Sequence, residues 1–118
     1  MVAGGLLAGH HSFEEKPAKG TRFDANAMYQ RRYWTRSMFE RIDQVRMVAE
    51  REGISMVDLA YRWVATRPGV DEVLVGPASV EQLDAAFDAI AQPLSPETKT
   101  RLDELSREWN GTDTNYVR

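Results

Sequence analysis

The sequence predicts an α/β chain that is mostly helical, and three observations carry that expectation. Residues 72–76, Glu72-Val73-Leu74-Val75-Gly76, form a short β-branched run bounded by turn residues, the best strand in the chain. Apolar residues at three- and four-residue spacing on either side of it mark amphipathic helices. The N-terminal Met1-Val2-Ala3-Gly4-Gly5-Leu6-Leu7-Ala8-Gly9 reads as the end of a buried strand running into a glycine-rich loop. Glycine has no Cβ, so such a loop lets backbone approach a ligand closely. A buried strand with unpaired donors and acceptors is costly, and Val73 to Val75 are apolar on both faces, as in a strand covered on both sides. The strand therefore expects neighbours, and the sequence reads as the back end of a larger enzyme.

The elements follow in order. Residues 10–34 lack sustained periodicity and hold His10, His11, Pro17 and the basic-aromatic run Tyr29-Gln30-Arg31-Arg32-Tyr33-Trp34. The aromatics argue against disorder, so the segment reads as a functional loop. From Thr35 to Glu52, Met38, Phe39, Ile42, Val45, Val48 and Ala49 form one apolar face, and Gly53 ends the helix. Ser55 caps a second helix with Leu59, Ala60, Trp63 and Val64 inward, and Pro68-Gly69 end it. After the strand, Ser79 caps a third helix with Gln82 three positions on, and Leu83, Ala86, Phe87 and Ile90 share a face. Ser95-Pro96 opens a fourth, whose stripe is Leu102, Leu105 and Trp109. Asn110-Gly111 close it ahead of a polar tail.

Composition sets the outer bounds. The 118 residues suit one domain with a modest core. A hydrophobic share of 42% against 28% charged is globular rather than disordered. The net charge of -3 argues against nucleic acid and anionic membrane as partners. With no cysteine, disulfides and thiolate metal sites are excluded. No apolar run reaches the roughly 18 residues a spanning helix needs, and no signal peptide is recognisable. A cytoplasmic location is the expectation.

Order and residues together resemble the C-terminal part of an aldo-keto reductase, on the side of the aflatoxin-aldehyde (succinic semialdehyde) reductase branch. Residues Ala3 to Gly9 look like the family's loop after the seventh barrel strand. Val73-Leu74-Val75-Gly76-Pro77-Ala78-Ser79-Val80-Glu81-Gln82-Leu83 looks like the eighth strand, its turn and the start of the last barrel helix. Gly20-Thr21-Arg22-Phe23, Arg31-Arg32-Tyr33-Trp34 and the ending Asn115-Tyr116-Val117-Arg118 point to the narrower branch. The resemblance implies a partial aldo-keto reductase domain over 1–118. It would hold the cofactor and substrate loop in 1–34, helices and the strand 72–76 in 35–109, and a tail in 110–118. It would be the C-terminal portion of a (β/α)₈ TIM barrel: the end of strand 7, strand 8, outer helices and tail. Such a barrel typically runs to roughly 250 residues.

The family transfers hydride from NADPH to aldehydes or ketones, so the resemblance implies cofactor grip rather than bond-making. Ala3, Gly4, Gly5, Leu6, His10, Arg22, Gly76, Ser79 and Gln82 fall at its cofactor positions, and Arg32, Trp34 and Arg118 at its substrate positions. The glycines would bring backbone amides to the phosphates, and Arg22 would clamp one through its planar fork. The family's catalytic aspartate, tyrosine, lysine and histidine belong upstream of the match, and no site residue here is catalytic. Two departures stand out: His10 replaces the usual lysine after the glycine loop, and Ala86 replaces an asparagine one turn after Gln82. Partners implied are NADPH, a small carbonyl substrate, and the missing N-terminal half or a second copy. The other reading is a catalytically inactive stand-alone module that binds a partner through its exposed apolar surface. A helix-turn-helix over Arg51 to Arg67 conflicts with the acidic balance and the apolar second helix.

Overall fold

A computed structural model of the chain describes residues 3–111. Short 3-10 turns over Ala3–Ala8 lead into an irregular segment, followed by five helices: α1 (Ala27–Tyr33), α2 (Arg36–Glu52), α3 (Met56–Ala65), α4 (Val80–Ala91) and α5 (Pro96–Gly111). The expected caps are in place. Thr35, Ser55 and Ser79 each accept from a backbone N–H three residues on, and Gly53 closes α2 in the left-handed region at φ 75°. These contacts satisfy end groups that helices leave open. Ser95 Oγ likewise accepts from the Thr98 N–H at 3.3 Å, ahead of Pro96.

Helices α2, α3 and α5 pack around Ile42, Val48, Ala49, Leu59, Leu102 and Leu105. The N-terminal turn adds Leu6, and Phe23 closes one end of the same core. Polar contacts fix α5 along its length. At its start, the Ser95 hydroxyl and backbone N–H donate to the Glu52 carboxylate at 2.9 and 3.2 Å, and the Thr98 hydroxyl donates to it as well. In the middle, Trp63 Nε1 and Arg67 Nη1 of the α3 side donate to Asp103 Oδ1 at 2.8 and 3.1 Å. Near its end, Trp109 Nε1 donates to Gln44 Oε1 at 3.1 Å.

The structure corrects several expectations. Residues 72–76 are not a strand: the segment runs without regular structure, and no element among the described residues pairs with it. A strand exists only through a partner's backbone, and every neighbouring element here is a helix whose hydrogen bonds are already used internally. Leu74 is accordingly 81% exposed. Residues 3–8 coil into 3-10 turns rather than ending a strand. Within the segment 10–34, the last third is ordered as α1. Asn26 Oδ1 accepts from the Tyr29 N–H at 3.2 Å as its cap, and Tyr29 and Tyr33, one turn apart, pack on Phe23. Phe87, expected inward, is 62% exposed, because α4 packs chiefly on α3 and only the Ala86–Ala89 side is covered. Helix α5 runs to Gly111, the last described residue, in keeping with the closing pair Asn110-Gly111. Met1, Val2 and the tail from Thr112, with Arg118, lie outside the described residues.

Candidate functional site

Residues at the cofactor and substrate positions fall into two groups. The first surrounds the N-terminal glycine turn. Ala3, Gly4 and Gly5 all have positive φ, at 50°, 70° and 105°, a left-handed run that glycine tolerates and most residues do not. A Cβ on Gly4 would stand 3.3 Å from the Phe23 ring and 3.4 Å from the Tyr29 ring. Gly4 is therefore needed both for its φ and for this close approach. Gly5 is different: a Cβ there meets nothing within 4 Å, so its backbone faces open space from which a ligand can approach. Leu6 is buried and anchors the turn in the core.

Phe23 organises what lies beside that turn. It is fully buried and takes edge-on contacts from His11, Tyr29, Tyr33 and Trp34, with ring centroids 5.6, 6.0, 6.5 and 5.2 Å away. Such edge-to-face pairs each add about 0.5–1.5 kcal/mol beyond area burial. The backbone around it is tied as well: Gln30 Nε2 donates to the Phe23 carbonyl at 2.7 Å, and the Gly20 N–H donates to Asp24 Oδ2 at 2.9 Å. Arg22 sits on this braced turn with its side chain exposed and no salt bridge among the described residues. His10 is exposed too. Arg32 lies over the Tyr33 ring at 5.6 Å and is exposed, whereas Trp34 is half-buried between Phe23 and Phe39. Trp34 thus holds the loop to the core, while the arginines are presented to solvent.

The second group sits at the start of α4. Ser79 Oγ accepts from the Gln82 N–H at 3.2 Å, and Gln82 Oε1 accepts from the Ala78 N–H at 2.9 Å, a reciprocal capping box. The Ser79 hydroxyl and the backbone N–H of Glu81 hold the Glu81 carboxyl below the usual range. A carboxylate therefore already occupies the positive end of α4, where an anion would otherwise gain most. What the box leaves free is the Gln82 amide NH₂, a donor suited to a neutral acceptor. Gly76 is exposed on the turn leading in. Ala86, at the departure position, is buried.

An open glycine turn and an exposed arginine with no salt bridge among the described residues are groups of the kind a phosphate takes. The second group fits the uncharged adenosine end better than a phosphate, because Glu81 repels one. Both the glycine turn and α4 pack on helix α3. Arg118, the third residue expected at the substrate, lies outside the described residues. The sequence reading missed His11, Phe23 and Tyr29, the rings that rigidify the glycine turn. Phe23 stands next to Arg22 in the matched stretch, and Tyr29 and Tyr33 at helical spacing were the available signal. Among the described residues no cluster of three metal-ligating side chains exists, and no helix is long and apolar enough to cross a membrane.

Comparison with known proteins gives the family. The sequence profile of the aldo/keto reductase family matches residues 1–107. An aldo-keto reductase of Pseudocercospora fijiensis is 29% identical, over 81% of this chain and 36% of its own length. Human aldo-keto reductase family 7 member A3 is 31% identical, over 92% of this chain and 37% of its own. Aflatoxin B1 aldehyde reductase member 2 of Rattus norvegicus is 30% identical, over 92% and 33%. No solved structure matches. The chain spans about a third of the length of the curated relatives it matches. It belongs to the aldo/keto reductase family, on the side of its aflatoxin-aldehyde reductase branch.

Proposed function

We propose that the chain serves as the C-terminal part of an NADPH-dependent aldehyde or ketone reductase, gripping cofactor and substrate while the bond-making groups come from upstream family sequence. The observation that carries this reading is the left-handed turn at Gly4-Gly5, open on the Gly5 side and braced by Phe23 and Tyr29, within a chain matched to the family over residues 1–107. Ala3, Gly4, Gly5 and Leu6 would present backbone N–H groups to the cofactor phosphates. Arg22 would add a two-pronged charged contact, and His10 a further donor. Gly76 would give room beside the adenosine and Gln82 would donate to it, with Ser79 fixing the helix start. Bound NADPH supplies the hydride. Arg32 and Arg118 would face a polar substrate group, with Trp34 as wall. Residues 71–77 would find strand partners in that upstream part.

The test has two arms. Titration of the chain with NADPH, followed by cofactor fluorescence, is expected to show weak or no binding. Fusion to the upstream half of a matched relative is expected to give saturable binding, which Arg22→Ala weakens by about 1–3 kcal/mol, the scale of a charge-assisted contact. Unchanged affinity in that variant removes Arg22 from the site. A second reading, a catalytically inactive module that binds a protein partner, is favoured by one observation: the described helices already close a core of their own around Leu59 and Leu105. Saturable NADPH binding by the fused protein, lost in Arg22→Ala, would count against it.

A further inference from the structure

We propose a second oxyanion site, separate from the cofactor positions, in the cleft where Arg67 at the end of α3 meets Arg107 on α5. The cleft measures about 380 Å³ and is lined by Arg67, Asp103, Ser106 and Arg107. Its chemistry is that of a phosphate group.

Both guanidinium groups are held in place on one edge only. Arg67 stacks on the Trp63 ring at 4.7 Å and gives Nη1 to Asp103 Oδ1 at 3.1 Å. Arg107 gives Nε to the Asp103 backbone carbonyl at 3.2 Å. Each therefore retains N–H groups for a ligand, and the ordering of two long side chains is already done in the free protein. The Ser106 hydroxyl, which accepts from Asn110 Nδ2 at 3.4 Å, also lines the cleft and keeps its own O–H to donate.

Charge favours an anion here. Asp103 takes Arg67, Trp63 and also Lys99, whose Nζ stands 3.0 Å from Oδ2. Arg67 and Lys99 thus pair with one carboxylate while Arg107 is held by the backbone carbonyl of the same residue, an excess of two positive charges. Glu104, the next acid along α5, is engaged with Arg101 at 3.5 Å. The last turn of α5 opposes an anion with roughly half a negative charge, which the excess outweighs. A tetrahedral dianion spans two forks better than a planar monoanion does, because each fork can take a separate oxygen pair.

The experiment is calorimetric titration of the full chain with inorganic phosphate and, separately, with phenyl phosphate, against chloride at matched ionic strength. Saturable one-to-one binding of phosphate is expected, weakened at least about tenfold in Arg107→Ala and retained in Arg22→Ala. Arg107 is exposed, so its loss leaves the fold intact, and far-ultraviolet circular dichroism verifies this. Arg67→Lys, which keeps the charge but loses the fork and the ring stack, is expected to weaken binding as well. Tighter binding of phenyl phosphate identifies the physiological source as a phosphomonoester; equal binding identifies it as free phosphate. Binding indistinguishable from chloride, or unchanged in Arg107→Ala, overturns the proposal.

Discussion

The α2–α3–α5 bundle and the stretch from Val70 to Ala78 are made of comparable residues and behave as opposites. In the bundle, polar ties join the apolar contacts in fixing α5: Glu52 on Ser95 and Thr98, Asp103 on Trp63 and Arg67, Gln44 on Trp109. In the stretch, Val73 and Val75 are only half-buried and Leu74 stands in solvent. Helices satisfy their own backbone, so three of them complete a unit. A strand cannot, so its sequence signal stays unfulfilled until a second backbone arrives.

That contrast is sharpened first in the core. Leu105 is fully buried, and Leu105→Ala is expected to cost about 2–5 kcal/mol, read as a fall in the urea midpoint. A loss below half a kcal/mol would mean that α5 is not docked as described. The polar pins come next. Glu52→Gln removes the charge from bonds with Ser95 and Thr98 and should cost about 1 kcal/mol at neutral pH, allowing for its partial exposure. Those same hydroxyl and backbone donors hold the Glu52 carboxyl below its ordinary 4.5. A carboxyl lowered by folding stabilises the fold fully above the unfolded value and loses that contribution as pH falls through the folded one. The acid limb of the stability curve, starting near 4.5, should therefore flatten in Glu52→Gln. An identical acid limb would show that the carboxylate is not engaged in solution. The smallest effect is expected at the unpaired stretch. Leu74→Asp should move the melting midpoint of the chain alone by no more than the equivalent of about 0.5 kcal/mol. A large loss there would mean that the stretch is covered after all.

The same contrast explains what could be read from sequence. Helices announced themselves because their caps and faces are local: Ser55, Ser79 and Gly53 act within one turn of their own residues, and the structure uses all three as expected. Helix α1 escaped notice because its apolar pair, Tyr29 and Tyr33, is embedded among charges and gains meaning only against Phe23, several residues earlier. Residues 72–76 carry a β-type composition, yet the described elements around them offer no backbone to pair with. At the candidate site, the glycine turn and Arg22 were visible through family resemblance. The rings of His11 and Phe23 that stiffen the turn were not, since stacking partners leave no periodic mark. The Arg67–Asp103–Arg107 cleft was equally hidden, because it joins residues 36 positions apart.

Helix α5 and its three polar ties bear on how the chain survives damage. The linker between α3 and α4 is exposed and lacks regular structure, the kind of segment proteases enter first. Cleavage there leaves α4 against α3, and α5 tied at both ends and its middle to α2 and α3. Cleavage beyond Arg67, the linker residue bonded to Asp103, would sever none of these ties. The connection that most resembles a missing part of a sheet is thus also the one the helical unit can lose and still hold its shape.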